Sequence, residues 1–232
     1  PSWVVGRSNR RLVPWQDALG AEGGFIGSQV SKALFKTGAS SKLYQTQAGS
    51  KPACNFVSPA LGGWRTYSHT PAETRLVLHQ AAIGVNPYFA VYVAAKDQPG
   101  TRAAKDVYRF LEENVEYYRE TRSAANVALL YSSRTVDWYA GVDIPWADRA
   151  GLQAAKAEAV GSFNQAFYGF YEILVRSRIP FDVIDEETVA AGELGRYDLA
   201  ILPNCACLDG AVCRAISDWV RVGGTIIADF ET

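Results

Sequence analysis

The stretch from Ile179 to Thr232 constrains the fold more than any other part of the chain. Leu199-Ala200-Ile201-Leu202-Pro203 is an unbroken apolar run, the pattern of a parallel strand buried on both faces. Asp209 stands where a helix N-cap is needed. Val212, Ala215, Ile216, Trp219 and Val220 then fall at i, i+3, i+4, i+7 and i+8, a single apolar stripe. Gly223-Gly224 closes that helix, because glycine takes the left-handed conformation without steric cost. Thr225 to Asp229 reads as the next strand. Strand, helix and strand in this order, with short connections, are a βαβ unit, and such units build parallel sheets.

The same grammar extends upstream. Val127–Tyr131 and Phe181–Ile184 are further short apolar strands, and a long helix over about 150–177 separates them, with Val160, Phe163, Phe167, Phe170 and Leu174 near one stripe. From residue 126 onward this predicts four strands alternating with helices in an open, flavodoxin-like sheet. Ser132 to Ala147 reads as a long aromatic-rich loop. Residues 120–125 read as a linker.

Before the linker the pattern is again strand then helix. Strands are expected at Asp17–Glu22, Lys51–Val57 and Pro87–Val93, the last of them buried. Residues 28–48 carry helical character with a break around Gly38. Thr70-Pro71-Ala72-Glu73 predicts a helix start, with threonine as cap, proline at the first position and Glu73 reaching back to the cap N–H. Thr101–Arg119 is read as an amphipathic helix with Val107, Phe110, Leu111, Val115 and Tyr118 on its buried face. Three βα units are too few for a closed (β/α)8 barrel, which takes about 250 residues.

Composition narrows the partners. With 48% hydrophobic residues, 20% charged residues and a net charge of −1, the chain has material for a core and no basic face for nucleic acid. No apolar run reaches the roughly 20 residues of a membrane span. No basic-then-apolar start reads as a signal peptide, which favours the cytoplasm. The chain opens on Pro1 and contains no methionine among its 232 residues, so it is expected to be a piece of a longer protein, with methionines missing from it. Its four cysteines, Cys54, Cys205, Cys207 and Cys213, lack the paired spacing of zinc sites, and both histidines lie far from the last three. No metal is expected. The thiols are read as reduced and mostly buried, with a disulfide or redox pair as the alternative.

Cys205 follows a strand end, as a nucleophile on a strand-to-helix turn would. Its neighbours are Asn204 and Ala206 instead of glycines, and no histidine follows His79 to act as base. A thiol without an activator is a poor nucleophile. The expectation for this domain is a scaffold.

The segments Asn126–Ser132, Tyr168–Leu174, Ile179–Ile184, Tyr197–Asn204 and Val222–Thr225, in that order and spacing, resemble the trimerisation domain of family 42 beta-galactosidases. That domain has a class I glutamine-amidotransferase-like fold. The preceding strands are similar to the last strands of the TIM barrel in related glycosyl hydrolases. The resemblance implies two domains: residues 1–121 as the C-terminal part of a (β/α)8 barrel, and 122–232 as the trimerisation domain, stopping short of its natural end. The fold class is then α/β, a flavodoxin-like parallel sheet preceded by βα units from the end of a TIM barrel.

The resemblance also implies chemistry. Such glycosidases cleave the glycosidic bond with two carboxylates, an acid and a nucleophile about 5 Å apart, at the carboxyl ends of barrel strands. Glu22 is the acidic residue that stands clearly at such an end, and it is the catalytic candidate. The Lys51–Val57 strand has no carboxylate where family 42 places its nucleophile, so a fucosidase-like pair on other strands is an alternative. The second carboxylate is expected from outside this chain, which alone should be inert. Trp64, Arg65, Tyr67 and His69 follow a strand end in a glycine-rich loop, where aromatic faces stack on sugar rings and Arg or His bonds hydroxyls; ordinary loop packing is the competing reading. Trp138, Tyr139 and Trp146 stand at the ligand edge of the second sheet, as sugar contacts or as an interface patch. His79 reads as structural. The implied partners are a carbohydrate substrate and two further copies of the chain, with no cofactor. The alternative function is a non-catalytic flavodoxin-like binding or oligomerisation module.

Overall fold

A computed structural model describes residues 10, 12–24, 33–57, 69–89, 97–139, 149–229 and 231–232; the side chains of 21–24, 33–34 and 149–162 lie outside that description. The chain divides into two compact units, with Ser123 ending the first and Ala124 opening the second.

In the first unit, strands β1 (Leu19–Gly24), β2 (Ala53–Val57) and β3 (Asn86–Phe89) alternate with helices α1 (Ala33–Ala48), α2 (Pro71–Ala82) and α3 (Pro99–Glu113). The sheet order is β1-β2-β3 and both pairings are parallel. Successive side chains of a strand face opposite sides, and β2 uses this fully. Its Ala53 and Val57 enter two apolar clusters. Ala53 joins Leu19, Tyr44 and Ala48, while Val57 joins Val77, Leu78, Ala81, Ala104 and Val107. Asn55, on the same face, is buried yet polar. Its amide donates to Ser41 Oγ (2.8 Å), Ser40 Oγ (3.2 Å) and the Thr37 carbonyl (3.4 Å), so the seam between β2 and α1 is hydrogen-bonded as well as packed.

The α2 start forms as its sequence predicts. Thr70 Oγ1 accepts from the Glu73 N–H at 3.2 Å, and Glu73 Oε2 accepts from the Thr70 N–H at 2.7 Å. The Thr70 N–H foremost, with the Thr70 hydroxyl donating to the same Oε2 at 2.9 Å, holds the Glu73 carboxyl below its ordinary pKa.

Three readings of the first unit need correction. Helix α1 runs through Gly38 without a break, and that residue's N–H meets Gln80 Oε1 of α2 at 3.2 Å. The described part of the third strand, β3, is half-exposed instead of buried. The buried face of α3 is Gly100, Ala103, Ala104 and Val107; the helix ends at Glu113, so Val115 and Tyr118 fall beyond it, and Phe110 is 45% exposed. Small residues let α3 sit close to α2, and larger side chains flank the contact. His79 packs edge-on against Phe110 with ring centroids 5.8 Å apart.

The second unit contains β4 (Val127–Tyr131), α4 (Ser133–Trp138), α5 (Arg149–Arg176), β5 (Phe181–Asp185), α6 (Glu186–Ala190), β6 (Leu199–Leu202), α7 (Gly210–Arg221) and β7 (Thr225–Ala228). All pairings are parallel and the order is β5-β4-β6-β7, with β4 paired along its length to β5 and over Val127–Leu129 to β6. This is the flavodoxin-like sheet that the sequence predicts. Its central strand explains the continuous apolar run Val127–Leu130, all of it buried. Helix α5 lays Phe163, Phe167, Tyr171 and Leu174 on the sheet, and Phe163 and Phe167 each meet the Tyr131 ring edge-on at 5.3 Å.

The segment after β4 is not wholly loop: Ser132 caps a short helix, α4, by accepting from the Thr135 N–H at 3.1 Å. Asp209 caps α7 through the N–H groups of Ala211 and Val212 (3.0 and 2.9 Å), and Gly223 ends that helix with φ +110°. On α7, Val212, Ile216 and Trp219 are buried while Val220 is exposed. Strand β7 is at the sheet margin and exposed along its length.

Candidate functional site

In an open parallel sheet a ligand binds outside the carboxyl ends of the strands, where the strand order reverses. In the second unit that point lies between the ends of β4 and β6. Ser132 and α4 leave one side, and Pro203–Asp209 leaves the other. The chain turns sharply at Asn204, whose φ of +45° is in the left-handed region that asparagine tolerates. The turn is held by the Asn204 N–H on Asp229 Oδ1 (2.7 Å) and the Cys205 N–H on Thr232 Oγ1 (2.8 Å).

The crevice is closed by the protein's own groups. Glu186, the first residue of α6, is 3% exposed and takes three donors from the α4 start: Ser132 Oγ (2.8 Å) and the Arg134 N–H (3.0 Å) on Oε1, and the Ser133 N–H (3.2 Å) on Oε2. Ser132 gives its one proton to Glu186, so the 2.7 Å contact between Ser132 Oγ and Thr135 Oγ1 must use the Thr135 proton. Thr135 Oγ1 in turn accepts from the Cys207 N–H at 3.1 Å. The result is one polarised chain from the β6–α7 loop, through two hydroxyls, to a buried carboxylate. Arg134 and Asp209 add an ion pair at 2.7 Å across the rim. Burial raises the Glu186 pKa, against the opposing pull of its hydrogen bonds.

Cys205 is 2% exposed. Burial first, then the Glu186 and Asp229 carboxylates, pushes its thiol well above the ordinary value. A neutral, buried thiol facing negative charge is the opposite of an activated nucleophile. All four cysteines are free; Cys205 is buried, Cys54 and Cys207 are half-buried and Cys213 is exposed, so the expectation of mostly buried thiols holds for Cys205 alone. Among the described residues no cluster of three His, Cys, Asp or Glu side chains is placed to hold a metal ion, and no helix is long and apolar enough to cross a membrane.

Of the aromatic pair at this edge, Trp138 ends α4 and is 64% exposed, and Tyr139 follows it half-buried. Trp146 lies outside the described residues.

In the first unit the corresponding edge is the carboxyl ends of β1, β2 and β3. Glu22 belongs to β1, inside the stretch from Ala21 to Gly24 where the register with β2 shifts; its side chain lies outside the described residues, as do Trp64, Arg65 and Tyr67 altogether. His69 stands just before α2. It is 1% exposed, and neither ring nitrogen has a hydrogen-bond partner among the described residues. Burial lowers its pKa, with the Glu73 carboxylate pulling the other way. The nearby Thr74 Oγ1 is likewise buried and unpartnered among the described residues. A side chain on Gly100 would meet the His69 carbonyl at 2.2 Å and Thr74 Oγ1 at 2.8 Å, so the starts of α2 and α3 converge on this point.

Sequence reasoning passed over the other face of this sheet. Phe56 and Tyr88 alternate away from the helix-packed positions, and their rings meet edge-on at 4.7 Å with Tyr88 53% exposed. A Cβ on Gly20 would come within 3.2 Å of both Cys54 Sγ and Phe56 Cε2, so the absent side chain lets these groups close up. The alternation in Ala53–Val57 carried the signal: its apolar positions read as one strand, and the residues between them define a second face.

No protein-family profile matches the sequence, and neither does any curated protein sequence. Solved structures do match. A beta-galactosidase from Bacillus circulans sp. alkalophilus superposes with a TM-score of 0.64 at 13% identity, covering 97% of this chain and 34% of that one. A catalytic mutant of Gan42B, a GH42 beta-galactosidase from G. stearothermophilus, gives 0.61 at 16% identity, with 95% and 34% covered. Alpha-L-fucosidase isoenzyme 2 from Paenibacillus thiaminolyticus gives 0.59 at 15%, with 96% and 31% covered. This chain thus shares its fold, across both units, with about a third of each of these longer proteins.

Proposed function

We propose that the chain is the end of a glycoside hydrolase: residues 1–121 close its catalytic (β/α)8 barrel and residues 122–232 form its assembly domain. The observation that carries this reading is likeness over 95–97% of the chain to three glycosidase structures, two beta-galactosidases and a fucosidase. A chance match to a common βα fragment would be expected to cover one unit, not both.

In this reading Glu22 is the general acid and the partner carboxylate comes from outside this chain. The register shift at Ala21–Gly24 supports it, because bulges recur where a strand re-aims a side chain beside an active site. Trp64, Arg65 and His69 contact the sugar; the two unpartnered His69 nitrogens offer one donor and one acceptor to a hydroxyl. Trp138 and Tyr139 give the second unit an aromatic surface for a sugar or a neighbouring copy. The filled switch point in that unit supports a structural role for it. The exposed β7, with Ile226 37% and Ile227 42% exposed, and Val222, 83% exposed, supports assembly into a trimer. Hydrolysis by two carboxylates requires no metal or cofactor.

The test uses the full-length protein with nitrophenyl β-galactosides and α-fucosides. One class is hydrolysed, and Glu22→Gln lowers kcat about a thousandfold with KM little changed. No hydrolysis of either class defeats the glycosidase reading; an unchanged kcat removes Glu22 from its role. Sedimentation equilibrium should return the mass of three chains.

A further inference from the structure

We draw no further inference here: the strongest candidate, the apolar wall that Gly20, Cys54, Phe56 and Tyr88 form on the face of the first sheet opposite its helices, is part of the candidate site already described, and nothing among the described residues shows what covers it.

Discussion

Ser132 Oγ donates to Glu186 Oε1 at 2.8 Å, joining the end of the central strand β4 to the start of α6 inside the second unit. The bond lies where the fold would ordinarily leave room for a ligand, and it ends a hydrogen-bonded chain that begins at the Cys207 N–H. Replacing Glu186 with Ala strands three buried or part-buried donors at once. The expected cost is about 3 kcal/mol of unfolding free energy, whereas Glu186→Gln, which keeps an acceptor, should cost about 1 kcal/mol. Urea denaturation measures both; equal losses would mean that the carboxylate contributes bulk and not bonding.

The same carboxyl sets a pH dependence opposite to that of the helix caps. Burial raises the Glu186 pKa, so the folded state holds the proton more tightly than the unfolded chain. Its contribution is complete below the ordinary carboxylate pKa and is lost as pH rises through the raised value. Glu73 and Asp209 behave in reverse. The hydrogen bonds they accept, from Thr70 and Val212 first, lower their pKa values, so their contributions are present at neutral pH and are lost as pH falls through them. Urea midpoints between about pH 4 and pH 8 should therefore show the wild-type advantage over Glu186→Gln shrinking as pH rises. An advantage that grows with pH would reverse the assignment.

Cys205 and Cys213 should separate by reactivity. Cys213 is exposed on α7, while Cys205 is buried and its thiol is held neutral by burial and two carboxylates. Iodoacetamide under native conditions should label Cys213 and leave Cys205 unmodified until urea unfolds the unit. Peptide mass mapping reads this directly, and native labelling of Cys205 at a rate near that of Cys213 would contradict the burial.

Where local rules act alone, the sequence was readable. The Thr70–Glu73 capping box, the Asp209 cap and the Gly223 terminus depend on residues within four positions of each other, and all three form. The strands of the second unit were equally visible, because a strand buried on both faces must be apolar throughout. What escaped depends on partners distant in sequence. Gly38 is a helix breaker by local propensity, yet it stands inside α1, where its N–H meets Gln80, 42 residues away. On α3 the expected stripe holds for Val107 and Leu111, which pack with the α2 cluster, but Phe110 lies off that arc, where Gly100, Ala103 and Ala104 are buried. Glu186 gave no signal in the sequence, since its donors lie 52 to 54 residues upstream.

His69 offers the sharpest separation of structural from binding roles. Its ring is buried and both nitrogens are unpartnered among the described residues, which leaves two polar atoms desolvated without return. Leucine, of similar volume, removes both. His69→Leu should therefore leave stability unchanged or raise it by up to about 1 kcal/mol. It should also change the acid response of the first unit. Burial lowers the His69 pKa, so the folded state resists the proton that the unfolded chain accepts. Stability is present above the ordinary histidine pKa and is lost as pH falls below it; in His69→Leu that loss disappears. A destabilisation of more than about 2 kcal/mol would mean that the imidazole is bonded within the fold. If the ring is instead kept unpaired for a sugar hydroxyl, the full-length variant retains its fold and loses about tenfold in substrate affinity, a loss that a purely structural histidine would not produce.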